Sequence, residues 1–169
     1  IMPSLTFEES LELTKIYSIA GLLSPKRPLI QTRPFRNPHH TSSSTSLTGG
    51  GRIPHPGEVT LAHRGVLFLD EMPEFSRRSL EVLRQPLEDK QIQLSRASGT
   101  YVFPAGFILV GAMNPCPCGF YPDMNKCRCT SGEVSHYLHR LSQPLLERID
   151  LCADVPSVEF SQISGKGEG

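Results

Sequence analysis

The sequence predicts an α/β fold, a mainly parallel sheet flanked by helices and carrying β-hairpin insertions. Two short apolar runs, Gly65–Leu69 and Phe107–Gly111, each lead into a polar residue and read as buried strands. Helical segments opened by side-chain caps alternate with them, the pattern of a layered α/β domain. No internal repeat is visible.

Each element has a local signal. Thr6-Phe-Glu-Glu9 is a capping box that opens a helix with Leu11, Ile16, Tyr17 and Ala20 near one face, closed by Gly21 and Pro25. Residues 28–57 are rich in Pro, Ser, Thr and Gly, and read as a long functional loop or irregular strand. Gly65–Leu69 fits a strand covered on both faces. Ser76 caps a helix that carries Leu80, Leu83 and Leu87 inward and meets Pro86 near its end. Gln91–Ser95 and Thr100–Phe103 flank Arg96-Ala-Ser-Gly99 as a hairpin. A second capping box, Thr130-Ser-Gly-Glu133, leads a helix through Tyr137 and Leu141. Ser142 caps a short helix with Leu145, Leu146 and Arg148, and Leu151–Val155 reads as a last strand.

Bulk properties bound the function. A chain of 169 residues, 38% apolar and 20% charged, has room for one soluble globular domain with a real core. Lys+Arg and Asp+Glu are both 17, so nucleic-acid binding would rest on a local basic cluster rather than on the whole surface. No apolar run reaches the roughly 18–20 residues that span a bilayer, so no membrane partner is expected. Ile1-Met2-Pro3 is no signal peptide and reads as the interior of a longer protein, as does the end at Ser164–Gly169. Four of the five cysteines fall close together, which points to a reducing, cytoplasmic compartment.

The chemistry concentrates at strand ends. In open α/β sheets, ligands gather beyond the carboxyl ends of the strands. There Val66-Leu-Phe-Leu-Asp70-Glu71 delivers two adjacent carboxylates. The first can hold Mg²⁺ and the second can polarise an attacking water, the division of labour that nucleotide hydrolysis needs. The plain alternative is acids placed where a chain emerges into solvent. Phe107–Asn114 repeats the layout with an uncharged amide, which could position water or touch a γ-phosphate without adding charge; the alternative is a simple Asn-Pro turn. Arg148, at the end of a short helix, could reach a neighbouring subunit's nucleotide, or could pair with Glu147 or Asp150.

Together these motifs carry a resemblance. Gly65–Glu71, Ala112-Met-Asn-Pro115 and Leu145–Asp150 are similar to the Walker B, sensor 1 and arginine-finger motifs of the AAA+ branch that contains magnesium-chelatase subunit I, the MCM helicases and ComM. Within it, Arg36-Asn-Pro-His-His-Thr41, Gly49–Gly51, Pro56–His63 and Leu94-Ser-Arg96 resemble the ComM (YifB) proteins most. The resemblance runs from about residue 1 to 156. It implies a partial AAA+ P-loop NTPase core over residues 1–169, with ATP and Mg²⁺ as cofactors. By the same resemblance Asp70 is the Mg²⁺ residue, Glu71 the catalytic base, Asn114 the γ-phosphate sensor and Arg148 a finger acting in trans.

One family feature is missing. The phosphate-binding G-x-x-x-x-G-K-[ST] loop does not occur here, and Gly165-Lys-Gly167 lacks its spacing and its Ser/Thr. The resemblance puts that loop upstream of Ile1 and a lid, with a second-sensor arginine, beyond Gly169. These residues alone are therefore expected neither to bind ATP tightly nor to hydrolyse it.

Three further features stand apart. The family implies that the hairpin around Gln91–Phe103 lines a ring's pore, where Arg96, with Arg52, could grip a phosphate backbone; otherwise Arg96 is an exposed turn residue. His39 and His40, adjacent on an extended segment, should point opposite ways and make a poor chelate; they contact DNA or a partner subunit, or simply pack, with packing the favoured reading. Cys116, Cys118, Cys127 and Cys129 offer four thiolates for a closed structural Zn²⁺ site, against free thiols or two disulfides; Cys152 reads as core.

The function expected is a homo-oligomeric, hexameric ring that couples ATP hydrolysis to moving DNA, in helicase-like branch migration during recombination and transformation. The alternatives are a chelatase-type motor for metal insertion into porphyrin, and a non-catalytic zinc-stapled binding module.

Overall fold

Three parallel strands organise the protein in this computed structural model, which describes residues 2–97 and 99–155. Around them the elements follow their local signals. Thr6 Oγ1 accepts from the Glu9 backbone N–H (3.2 Å) and the Glu9 carboxylate accepts from the Thr6 N–H (3.1 Å), which starts α1 (Phe7–Ile19). Gly21 ends it at φ +71°, letting the Gly21 N–H reach Ser18 O and the Leu22 N–H reach Tyr17 O, a closure that needs the left-handed region. Leu13 and Ile16 are buried on α1, whereas Leu11, expected on that face, is exposed. The reason is geometric, because two residues along a helix turn a side chain by about 200°.

The long polar segment is structured. It contains β1 (Phe35–Arg36), α2 (Ser44–Thr48, capped by Ser43), the paired β2 (Gly49–Gly50) and β3 (His55–Pro56), and α3 (Glu58–Leu61). Gly49 holds φ +91°, and a Cβ there would lie 2.2 Å from His55 O, so only glycine fits this turn.

Next comes β4 (Val66–Leu69), followed by a 3₁₀ turn (Met72–Glu74), α4 (Arg77–Glu81) and α5 (Arg84–Asp89). Ser76 Oγ accepts from the Ser79 N–H (3.0 Å), as its capping role requires. The single helix expected from Ser76 is broken in two. Pro86 donates no hydrogen bond and crowds the carbonyl four residues back, so the chain tightens through Leu83 N–H to Leu80 O before resuming.

The hairpin is present as β5 (Gln91–Arg96) against β6 (Gly99–Pro104), in antiparallel register from Gln91↔Pro104 to Arg96↔Gly99. Then come β7 (Ile108–Gly111), α6 (Ser131–Leu138, opened by the Thr130/Glu133 capping box) and α7 (Gln143–Leu146). Residues 151–155 form no strand; they are exposed and pair with nothing in the sheet. Cys152 is therefore exposed rather than core. The tail expected from Ser164 lies outside the described residues.

The sheet order is β1-β4-β7, all parallel. Leu67 and Leu69 of β4 are fully buried and share one core with Leu80, Leu83, Leu141 and Leu145. Each such leucine contributes about 1.5–3 kcal/mol of transfer free energy. The other face is barer than a doubly covered strand predicts. Val66 and Phe68 are half-buried there, beside exposed Phe35, Ile108 and Val110. The described helices α4, α5 and α7 supply side chains to the Leu67–Leu69 face. No described helix is long and apolar enough to cross a membrane.

Candidate nucleotide-hydrolysis site

Parallel register decides what meets at the sheet's rim. Leu69 lies opposite Gly111, and the ladder runs one step further: Ala112 N–H donates to Leu69 O and Met72 N–H to Ala112 O, both at 2.9 Å. The chain thus leaves β4 and β7 at the same end. Asp70 and Glu71 emerge from one strand, and Asn114 from its neighbour.

Glu71 turns sharply. Its backbone occupies the left-handed region (φ 49°, ψ 45°), and its N–H donates to Asp70 Oδ1 at 2.9 Å. A non-glycine residue there stores local strain, a common trait of site residues. This turn sends the Glu71 carboxylate to His40, whose Nδ1 lies 3.3 Å from Glu71 Oε2.

His40 was not foreseen as a site residue. The expectation that His39 and His40 point apart is wrong, because the segment turns instead of extending. Ser42 N–H donates to His39 O, His39 Nδ1 meets Thr41 Oγ1 at 2.9 Å, and the two imidazoles lie side by side with centroids 4.1 Å apart and planes tilted by 35°. The His40 ring also meets Phe75 edge-on at 6.5 Å. A ring held on two sides is a preorganised one. The signal available was the His-His pair inside Arg36–Thr41.

Asn114 is framed by two contacts. Its carboxamide lies against Gly119, where a Cβ would sit 4.0 Å from Asn114 Oδ1. Its backbone faces the buried Tyr137 hydroxyl closely enough to pull that hydroxyl's pKa down. Burial pushes the Tyr137 hydroxyl above its usual range, and the Glu74 and Glu71 carboxylates add to the rise. Tyr137 therefore faces the Asn114 backbone and senses Glu71 from one spot.

Arg148 lies elsewhere. Its guanidinium pairs with Glu88 of α5 and donates to the Pro144 carbonyl, so its acidic partner is neither Glu147 nor Asp150. Arg96 joins the hairpin to the Gly-rich turn: its Nε donates to Gly51 O (3.3 Å), next to exposed Arg52.

The cysteines converge. Cys116 Sγ is 3.3 Å from Cys118 Sγ and 3.8 Å from Cys127 Sγ; Cys118 and Cys127 are 3.6 Å apart. With Cys129, all four sulfurs lie within 4.8 Å of one another. A tetrahedral Zn²⁺ with Zn–S near 2.3 Å would space its sulfurs by about 3.8 Å. The donor set therefore fits a thiophilic divalent ion, and all four are free thiols rather than disulfides. Backbone N–H groups of Phe120 and Arg128, with the Cys116 thiol, hold the Cys118 thiol down to about 6; backbone N–H groups pull Cys127 and Cys129 the same way, but burial and the neighbouring thiols outweigh them and raise both, so Cys118 is the thiol most ready to ionise.

Comparison with known proteins agrees with this architecture. The family described as "Magnesium chelatase, subunit ChlI" matches residues 1–163. The chain is 48% identical to YifB of Salmonella typhimurium over 99% of its own length and 33% of that protein's. It is 44% identical to the competence protein ComM of Haemophilus influenzae, again over 99% of this chain and 33% of the relative. A more distant likeness, 29% over 74% of the chain and 19% of the relative, is to an archaeal Lon protease of Methanocaldococcus jannaschii. The chain thus spans about a third of the length of the YifB and ComM proteins it matches. With its parallel sheet and family match, this chain belongs to the magnesium chelatase subunit ChlI family of AAA+ proteins.

Proposed function

We propose that these residues are the catalytic half of an ATP-driven ring motor that remodels branched DNA, completed by parts of a longer protein. The carrying observation is the shared rim: adjacent parallel strands deliver Asp70-Glu71 and Asn114 at one end. A binding scaffold needs no such trio.

In this reading Asp70 holds Mg²⁺, Glu71 polarises the attacking water and Asn114 contacts the γ-phosphate of ATP. When bound, Mg²⁺ neutralises charge developing on the phosphates. A phosphate loop and a lid come from outside residues 1–169. Arg148 acts on a neighbouring subunit's nucleotide, exchanging Glu88 for the phosphate, in a hexameric ring. Arg96 and Arg52 contact DNA from the hairpin and the adjoining turn. Zn²⁺ occupies the four-cysteine cluster as a structural ion. The competence name of the ComM relative supports DNA over other loads.

The family description favours one competing reading, a motor that drives metal insertion into a porphyrin. Electrophoretic mobility shifts with full-length protein, ATP and branched or single-stranded DNA separate the two. ATP-dependent retention of branched DNA is the expected result, with loss of affinity in Arg96→Ala. No retention of any DNA would leave the chelatase reading.

A further inference from the structure

Asn114 and the cysteine cluster are one mechanical unit. Asn114 is followed by Pro115 and then by Cys116, which is fully buried. The Gly119 N–H donates to Cys116 O at 3.0 Å, folding the Cys116–Gly119 turn back. That turn places Gly119, at φ +82°, against the Asn114 carboxamide. The second neighbour of Asn114, Tyr137, lies on α6, which begins two residues after Cys129 with Thr130 as its cap. α6 buries Val134 against Cys116 and Cys127. Both neighbours of Asn114 are therefore tied to the cysteine cluster, Gly119 through the Cys116 carbonyl and the Tyr137 helix through Val134 against Cys116 and Cys127.

Residues 115–130 form no helix or strand. Their own apolar cluster is only Cys116, Cys127 and Val134, with Cys129 packed alongside. So small a core cannot offset the entropy of ordering so long a loop, which is the situation in which a structural metal supplies the missing stability. Among the described residues this is the one group of three or more potential metal ligands.

We propose that Cys116, Cys118, Cys127 and Cys129 bind one thiophilic divalent cation, Zn²⁺, and that this ion holds Asn114 in place at the nucleotide rim. The catalytic consequence rests on the reading of Asn114 as the γ-phosphate sensor. The ion's hold on Asn114 does not.

The test uses full-length protein, freshly reduced. Elemental analysis should find about one zinc per chain, lost in Cys127→Ser. Stripping zinc with a thiol-reactive reagent and a chelator, then restoring Mg²⁺, should accelerate hydrogen exchange in the peptide covering residues 112–116. Turnover should fall about 10- to 100-fold with little change in KM for ATP, and both should reverse on adding Zn²⁺. Reversibility separates this outcome from unfolding. Absence of bound metal overturns the proposal, and so does bound zinc whose removal leaves exchange at residues 112–116 unchanged. Should Asn114→Ala leave turnover intact, the sensor reading fails while the exchange experiment still decides the ion's role.

Discussion

His40 Nδ1 lies 3.3 Å from Glu71 Oε2, joining the loop after β1 to the acidic pair at the end of β4. Because His40 lies tilted against His39 and edge-on to Phe75, its ring is a fixed point against which the Glu71 carboxylate is oriented. His40 is thus a positioning residue. In the full-length protein, His40→Ala should lower kcat by about tenfold with KM for ATP nearly unchanged, and His40→Asn should recover part of it. Steady-state ATPase kinetics check this. Unaltered kcat in His40→Ala would show that the contact orients nothing.

Arg148 gives a prediction about neighbours. Its guanidinium is paired with Glu88 of its own chain, so the proposed action on a neighbouring subunit's nucleotide requires it to exchange that partner. Arg148→Ala and Glu71→Gln proteins should each be inactive alone. Mixed and reassembled, they should regain partial turnover, since some interfaces then pair an intact Arg148 with an intact Glu71. Inactivity of the mixture in the presence of formed rings argues against action in trans.

His63 sets a pH dependence. It is buried, its Nδ1 accepts from the Gly106 N–H (2.9 Å), and its Nε2 faces the Glu12 carboxylate at 3.1 Å. Burial holds its pKa below the usual histidine value, with Glu12 pulling partly back. The unfolded chain therefore takes up the proton first as pH falls. The contribution is fully present above about 6.5 and is lost progressively below it. Thermal unfolding from pH 8 to pH 5 should show a declining Tm, and His63→Gln should flatten that slope. An equal slope in the variant assigns the effect elsewhere.

Much of the fold was legible because its signals are local. The capping boxes at Thr6 and Thr130 and the Ser76 cap depend on residues three apart, and all three caps form. The apolar runs before Asp70 and Asn114 are strands, and their parallel pairing follows from helices lying between them. What escaped depends on distant contacts. Nothing near Leu151 indicates whether a partner strand exists, and the segment stays unpaired. The Pro86 break shifts a helix predicted as continuous. The turn that brings His39 against His40 is set by loop packing, so the contact with Glu71 could not be read from spacing. Glu88, sixty positions from Arg148, carries no local mark of their pairing.

The account rests on Asp70, Glu71 and Asn114 forming one hydrolytic rim. Measuring ATP binding and turnover in parallel on full-length Glu71→Gln tests this most directly. Nucleotide affinity should be retained while turnover falls by about 10²-fold or more, since only the water-polarising carboxylate is lost. Turnover at the unsubstituted rate in that variant would contradict the account.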